Sequence, residues 1–435
     1  MKLRPFELFL VVGFLAIGLL SLVFLSAYTP SDDNDGLPQV GSVEIWGTLP
    51  QAGMSNVLRG LAESNEAYRN VRYKEVSEES FNDELVNAIA EQTGPDVVLI
   101  SHERITQLRS KLKPISYESL PRRDISTNYI DGAQIFALSD GMYAYPLMVD
   151  PLMLYWNKNI LANSNYLAAP KTWEDLVNDY LPTLIERNPD RSIVRSVVAL
   201  GEYQNIRNAS GLLSLLLLQA GSQGVTNPED RRYEIRLNQS SENNVKPLTV
   251  ATEFYTRFSK PNNVLYSWNR SFSSDRDRFL SGDLVLYFGY GSEARELEKL
   301  NPNLSFDIAE VPQGATATVR RTFGRFYGLS ALQSSDNLTG ASIVMRDLAG
   351  QTTMTTLAQN YNMVPVLRSA VGAGSDDTYG RSTYLAATVA YGWLTPKPEA
   401  TNSILNTLVT DVNENRRDAD GAVTDALERL QEEYN

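Results

Sequence analysis

Asp150 is the one charged residue in Tyr143-Ala-Tyr-Pro-Leu-Met-Val-Asp-Pro-Leu-Met-Leu-Tyr-Trp-Asn157, a stretch otherwise apolar and aromatic. A carboxylate in such surroundings needs partners to offset its desolvation. Two readings are open. Asp150 is either a polar point that meets a ligand among Tyr145, Tyr155 and Trp156, or an acceptor for backbone N–H groups where Pro151 breaks a pair of buried strands. Glu103-Arg104 is a second pair with chemical reach, an acceptor beside a planar multi-donor, and its plain alternative is a surface ion pair. Trp46, Tyr155, Trp156, Trp268 and Tyr290 are candidates for stacking. Such residues are more often core than platform, and Tyr155 and Trp268 read as core.

Other chemistries are excluded by what the chain lacks. There is no cysteine and a single histidine, His102, so disulfides, thiolate chemistry and multi-histidine metal sites are out. No Gly-x-Ser-x-Gly elbow is present. The formal charge of −13 disfavours nucleic acid and anionic membrane surfaces as partners. Asp33-Asn-Asp35-Gly36 resembles part of a calcium loop, but Ser31 and Ser42 stand at its terminal ligand positions, so it is discarded. Gly289-x-Gly291-x-x-Ala294 has the outline of a dinucleotide fingerprint, yet it opens no N-terminal βαβ unit. A strand-to-helix turn with two glycines gives the same pattern. No catalytic residue, metal or cofactor is assigned.

The elements that must position these residues alternate between strand-like and helix-like patterns, which argues for α/β architecture. Val43–Trp46, Val71–Val76 and Pro95–Ile100 read as strands, and Met54–Ser64 and Ser80–Glu91 as helices. Ligands in open α/β sheets sit beyond the carboxyl ends of strands, which points to the loops Trp46–Leu49, with Thr48, and Ser101–Arg104. Thr172 and Asp175 form a capping pair, Gly211–Leu218 is a core helix, and 247–258 is another helix. Strands follow at 281–288, 306–312 and 327–332, with helices around 341–348 and at the C-terminus, where Val423, Ala426, Leu427 and Leu430 share a face.

Ahead of these lies Leu8–Ala27, uncharged and long enough to cross a bilayer as a helix, with Lys2 and Arg4 before it and Asp32, Asp33 and Asp35 after it. The charge asymmetry places the short N-terminus in the cytoplasm and the remainder outside. Leu25-Ser26-Ala27 could also serve as a cleavage site, but the run exceeds a typical signal-peptide core, which favours an uncleaved anchor. Thr29–Gly41 reads as a tether.

Taken in order, the part after residue 42 resembles the bacterial extracellular solute-binding proteins of ABC importers, in the maltose-binding-like carbohydrate branch. Val43-Glu-Ile-Trp46 looks like the first strand of that family. Pro95-Asp-Val-Val-Leu-Ile-Ser-His-Glu-Arg104 is similar to its proline–aspartate strand and His-Asp-Arg loop. Pro146–Asn157 matches the segment that crosses between lobes, with a sugar-contacting carboxylate at Asp150 and an aromatic-asparagine pair at Trp156-Asn157. Lys171–Leu176, Tyr266–Leu286, Phe306–Pro312 and Trp393–Pro398 resemble later blocks. The chain departs from the family at two stacking tryptophans, replaced by Ile100 and by the loop Gly289-Tyr-Gly-Ser-Glu293.

The resemblance implies a two-lobed periplasmic-binding-protein-like α/β fold with a hinge, preceded by one transmembrane helix. The expected division is 1–7 cytoplasmic, 8–27 transmembrane anchor, 28–42 tether, 43–149 with 313–349 as the first lobe, and 150–312 with 350–435 as the second. The crossings fall near Asp150 and Pro312. The implied function is a monomeric, membrane-anchored extracytoplasmic receptor that passes a saccharide to ABC permease subunits. The expected ligand-binding residues are Trp46, Thr48, Glu103, Arg104, Asp150, Trp156, Tyr290 and Glu293. The alternatives are a tethered carbohydrate-active enzyme, with Asp150 and Glu103 as paired carboxylates, and a sensor or adhesin without a transport role.

Overall fold

Val43 and Ile45 are buried on one face of a strand and Glu44 is half-buried on the other, while Trp46 and Gly47 at its end are buried as well. The computed structural model describes residues 40–227, 232–240 and 244–434, and the expected anchor over 8–27 and most of the tether lie outside them. No helix among the described residues is long and apolar enough to cross a membrane.

Strands β1 (Val43–Gly47), β2 (Val71–Glu75) and β3 (Val97–Ser101) are parallel, with β1 in the middle. Parallel neighbours require crossovers, here helices α1 (Gln51–Ser64) and α2 (Phe81–Ala90). The chain then enters the long strand β4 (Tyr145–Asn157) and builds β5 (Ile193–Val198), α3 (Ala209–Gln219), α4 (Pro247–Thr256), β6 (Leu284–Tyr290) and β7 (Phe306–Glu310). It returns along β8 (Thr322–Leu332) and ends in α5 (Leu338–Leu348), α6 (Gln351–Asn360), α7 (Pro398–Asn413) and α8 (Ala419–Tyr434). The capping pair is present: Thr172 Oγ1 accepts from the Asp175 N–H, and Asp175 accepts in return from the Thr172 N–H. Helix α3 is apolar almost all round and is buried, as such a helix must be.

One sheet runs through the molecule in the order β2-β1-β3-β8-β4-β6-β5. Two apolar cores flank it. The first holds Ile45, Phe81, Val98 and Phe136, and the second holds Tyr155, Leu215, Trp268 and Phe279. Strands β4 and β8 pass between them. Val149 belongs to the first core and Leu152 to the second, while Phe323 belongs to the second and Phe326 to the first. The lobes therefore join where Asp150-Pro151 lies opposite Gly324-Arg325.

Three expectations change here. Pro151 does not break the chain into two strands, because β4 is continuous. Instead the strand changes partners: before the proline it pairs with β8, and after it with β6 and β7. Proline lacks only its own N–H, which is no loss where one ladder gives way to the next. The return crossing is β8 rather than the segment at Pro312, since β7 and Val311 still pack on the second core. The stretch 350–394, expected with the second lobe, is divided: Met354, Leu357, Val364 and Ala387 lie in the first core, and Tyr379, Ala386 and Trp393 in the second.

Candidate functional site

At the junction, Arg325 and Asp150 are direct partners across the β8–β4 ladder and so project from the same face. Arg325 Nε donates to Glu103 Oε2 at 2.7 Å, and its guanidinium lies 4.8 Å from the centre of the Tyr290 ring. Glu103 itself sits just beyond β3, in the turn His102–Arg104, and Thr395 Oγ1 donates to its carbonyl at 2.7 Å. A cavity of about 290 Å³ opens above this pair. Glu78, Glu79, Ser101, Glu103 and Tyr327 line it from the first lobe. Ser210 in the first turn of α3, and Glu399, Thr401 and Asn402 at the start of α7, close it from the second.

Asp150 lies beneath that cavity rather than in its wall. Its Oδ1 accepts from the Ser292 N–H at 3.0 Å and its Oδ2 from Ser292 Oγ at 2.6 Å. Burial raises its carboxyl to about 7, against the two Ser292 hydrogen bonds and with help from neighbouring Glu293. Glu293 is likewise engaged, its Oε1 accepting from the Tyr290 N–H at 2.8 Å and Asn208 Nδ2 at 2.9 Å. Its Oε2 accepts from Tyr287 Oη at 2.6 Å. Tyr290 is buried under Arg325, and its carbonyl accepts from Tyr155 Oη. The glycine loop is thus a hydrogen-bonded frame that holds the floor of the cavity.

Arg104 is almost wholly buried, 2% exposed, and bridges the lobes. Its Nη2 donates to Glu78 Oε1 at 2.6 Å and to Glu399 Oε1 at 3.2 Å. Burial opposes the Glu78 charge, but Arg104 and a hydrogen bond from Thr48 hold its carboxyl below the ordinary range. Thr48 therefore acts on the site through Glu78. His102 is fully buried, accepts from the Phe326 N–H at 3.2 Å, and is pushed down by burial to about 4. It stays neutral at pH 7.

The structure thus gathers Glu103, Arg104, Asp150, Tyr290 and Glu293 around one junction, with Glu103 alone of these in the cavity wall. It does not bring Trp46 or Trp156 there. The Trp46 indole N–H donates to Glu44 at 2.8 Å and its ring carries the Lys74 ammonium at 3.8 Å. Trp156 sits opposite Leu286 and Asp307 in the second lobe, six residues beyond Asp150 along β4. Sequence reasoning missed Arg325, Tyr327, Ser210 and Asn402. Arg325 carried a usable signal, the same one that marked Asp150: a lone charge in the apolar strand Thr322–Leu332. Ser210 and Asn402 carried none, being ordinary polar residues near helix starts.

The family model for bacterial extracellular solute-binding proteins matches residues 61–379. This chain belongs to that family. No curated protein sequence matches it. Among solved structures it is similar to a cyclo/maltodextrin-binding protein complexed with maltotetraose, with a TM-score of 0.69 and 13% identity over 92% of this chain and 98% of that one. An ABC transporter solute-binding protein from Thermotoga lettingae TMO bound with alpha-D-tagatose gives a TM-score of 0.67 at 16% identity, over 91% and 100% of the two chains. The maltotriose-binding protein of Thermus thermophilus, bound with maltotriose, gives 0.64 at 12% identity over 91% and 100%. At such identities the likeness is one of fold, and the fold is the two-lobed α/β architecture of this family.

Proposed function

We propose that this solute-binding protein is the receptor of an ABC importer, and that its two lobes close on a sugar or small oligosaccharide. The observation that carries the reading is the cavity at the junction, whose walls come from both lobes and whose floor is the Glu103–Arg325 pair. A ligand that bridges the walls favours the closed arrangement by its differential contacts with it. Carboxylate, guanidinium, hydroxyl and amide groups are the groups that recognise sugar hydroxyls, and Tyr327 adds an aromatic surface. Structural neighbours solved with maltotetraose, tagatose and maltotriose support the ligand class. Glu103, Arg325, Ser210 and Asn402 contact the ligand in this reading, while Asp150, Tyr290 and Glu293 hold the frame. Leu8–Ala27 keeps the receptor, acting as a monomer without catalysis, at the extracytoplasmic face of the membrane beside its permease.

A thermal-shift screen of the full chain in detergent against sugars, amino acids and peptides tests this. Ligand at 100 times its dissociation constant adds about 2.7 kcal/mol, a shift of several degrees. At least one saccharide is expected to give it, and Glu103→Ala to abolish it. Stabilisation by peptides alone overturns the sugar assignment, turnover of the saccharide overturns the receptor role, and unchanged uptake in cells lacking the protein overturns the import role.

A further inference from the structure

Arg104 carries a buried charge at the junction, yet it neither lines the cavity nor forms part of its floor. Its Nε and Nη2 both donate to Glu78 Oε1, at 3.2 and 2.6 Å, and Nη2 also donates to the Glu78 carbonyl at 2.9 Å. The centre of the Phe81 ring lies 5.5 Å from the guanidinium carbon. Its Nη1 is closed off from solvent and has no hydrogen-bond partner among the described residues. A solute in the cavity therefore meets no open donor of Arg104. A guanidinium this far out of water depends on its carboxylate partners. Glu78 thus fixes the cation in the first lobe, and the bond that leaves this lobe runs to Glu399 Oε1 at 3.2 Å.

The residue before Arg104 makes a second contact with the same segment. Thr395 Oγ1 donates to the Glu103 carbonyl at 2.7 Å, so the turn His102–Arg104 grips both ends of Thr395-Pro-Lys-Pro-Glu399. Pro396 and Pro398 each fix their own φ and bias the residue before them to an extended backbone, which stiffens the segment. Pro398 is also the first residue of α7. About one turn further on Asn402 lines the cavity, while Ile404, Leu405 and Leu408 seat the helix in the second core. A pull on Glu399 is therefore carried straight to the first turn of α7 and to the second-lobe wall.

From the fixed guanidinium and the stiff segment it grips we infer that Arg104 is a positioning residue for ligand capture. It does not touch the solute. When the lobes close, it captures Glu399, clips Thr395–Glu399 to the first lobe, sets Asn402 across the cavity from Glu103 and slows reopening. The inference rests on the proposal that this cavity is the sugar site. The Glu399 side chain is 57% exposed, so the clip changes residence time a few-fold rather than by orders of magnitude.

Stopped-flow and calorimetric titration of the full chain in detergent with maltotriose, maltotetraose and D-tagatose tests this. At least one of these sugars is expected to bind. Glu399→Gln should raise its dissociation rate about fivefold and leave its association rate within about twofold. The melting temperature of the ligand-free Glu399→Gln chain should stay within about two degrees of the natural one. Arg104→Lys keeps a cation beside Glu78 but replaces the planar fork by a single ammonium, and should raise the dissociation rate to the same degree. The double variant should lose no more than either single one, because both remove the same bond. Losses that multiply in the double variant overturn the clip, since each residue would then act on its own. Equal dissociation rates in the natural chain and in Glu399→Gln overturn it and leave the sugar reading standing. Binding of none of the sugars overturns the clip together with the sugar reading.

Discussion

Two carboxyls in the second lobe and at the junction hold protons that water would remove. Burial lifts Asp150 and Asp275 each to about 7, against hydrogen bonds from Ser292 to the first and from the Arg207 and Arg276 N–H groups to the second. Both values lie above the ordinary 3.8, so the folded chain binds protons that the unfolded chain has released. Their contribution to stability therefore falls as pH rises from about 4 to about 7, and above 7 the cost of the buried charge is complete. Asp150→Asn keeps a side chain that can still pair with Ser292 and cannot ionise. Urea unfolding at pH 4.5 and pH 8 should show the variant gaining on the natural chain at the higher pH, by an amount on the order of a few kcal/mol. Parallel behaviour at both pH values would contradict the assignment. His102, pushed down to about 4, acts in the opposite direction but is common to both chains and cancels in the difference. What the sequence revealed at this scale was that Asp150 must have partners. Ser292 could not be read as the partner, because 142 residues separate them and nothing local marks a serine as a donor to a distant carboxylate.

The elements divide along the same line. Helices with a 3.6-residue apolar pattern, such as α2 and α5, were legible to within a few residues because one face packs and the other is wet. The first five residues of β8 were not, since Gly324 and Arg325 interrupt the alternation that marks a strand. The division of 350–394 between the lobes was not legible either, because both cores accept an amphipathic helix and both receive residues from this stretch. Gly324 is itself dictated by the crossing. A Cβ there would lie 2.8 Å from Val149 Cγ2 and 2.9 Å from Ala390 Cβ, two atoms of a packed core that cannot swing aside. Gly324→Val should therefore lower stability by about 1–3 kcal/mol, seen as a lower melting temperature. Gly372→Ala is the matched control: it lies in a short helix with open space around its Cα, and should be neutral or slightly stabilising. Equal melting temperatures for the two variants would mean that the crossing strands tolerate added bulk.

Across the whole molecule, the lobes meet at more than the two crossing strands. The excursion between α3 and α4 carries the paired strands Val225–Thr226 and Glu234–Ile235. From it Asn227 accepts from Ser139 Oγ of the first lobe at 3.0 Å. Tyr233 accepts from Arg109 Nη1 at 3.1 Å while its ring stacks on Tyr434 at the end of α8, with centroids 5.2 Å apart. The clasp thus ties first-lobe groups to the C-terminal helix of the second, away from the cavity. If closure is the step that traps ligand, any bond made across the lobes only when they are closed adds to affinity without touching the solute. Tyr233→Phe removes the acceptor and leaves the stack, and Arg109 keeps Tyr143 and Asp140 as partners. A hydrogen bond of this kind is worth about 1–1.5 kcal/mol, so the substitution should weaken saccharide binding up to about tenfold. Small-angle scattering of the ligand-free variant should show a larger radius of gyration than that of the natural chain, and saturating ligand should bring the two together. Unchanged affinity and scattering would mean that the hairpin stays docked in every state, and that closure turns on the Asp150–Arg325 junction alone.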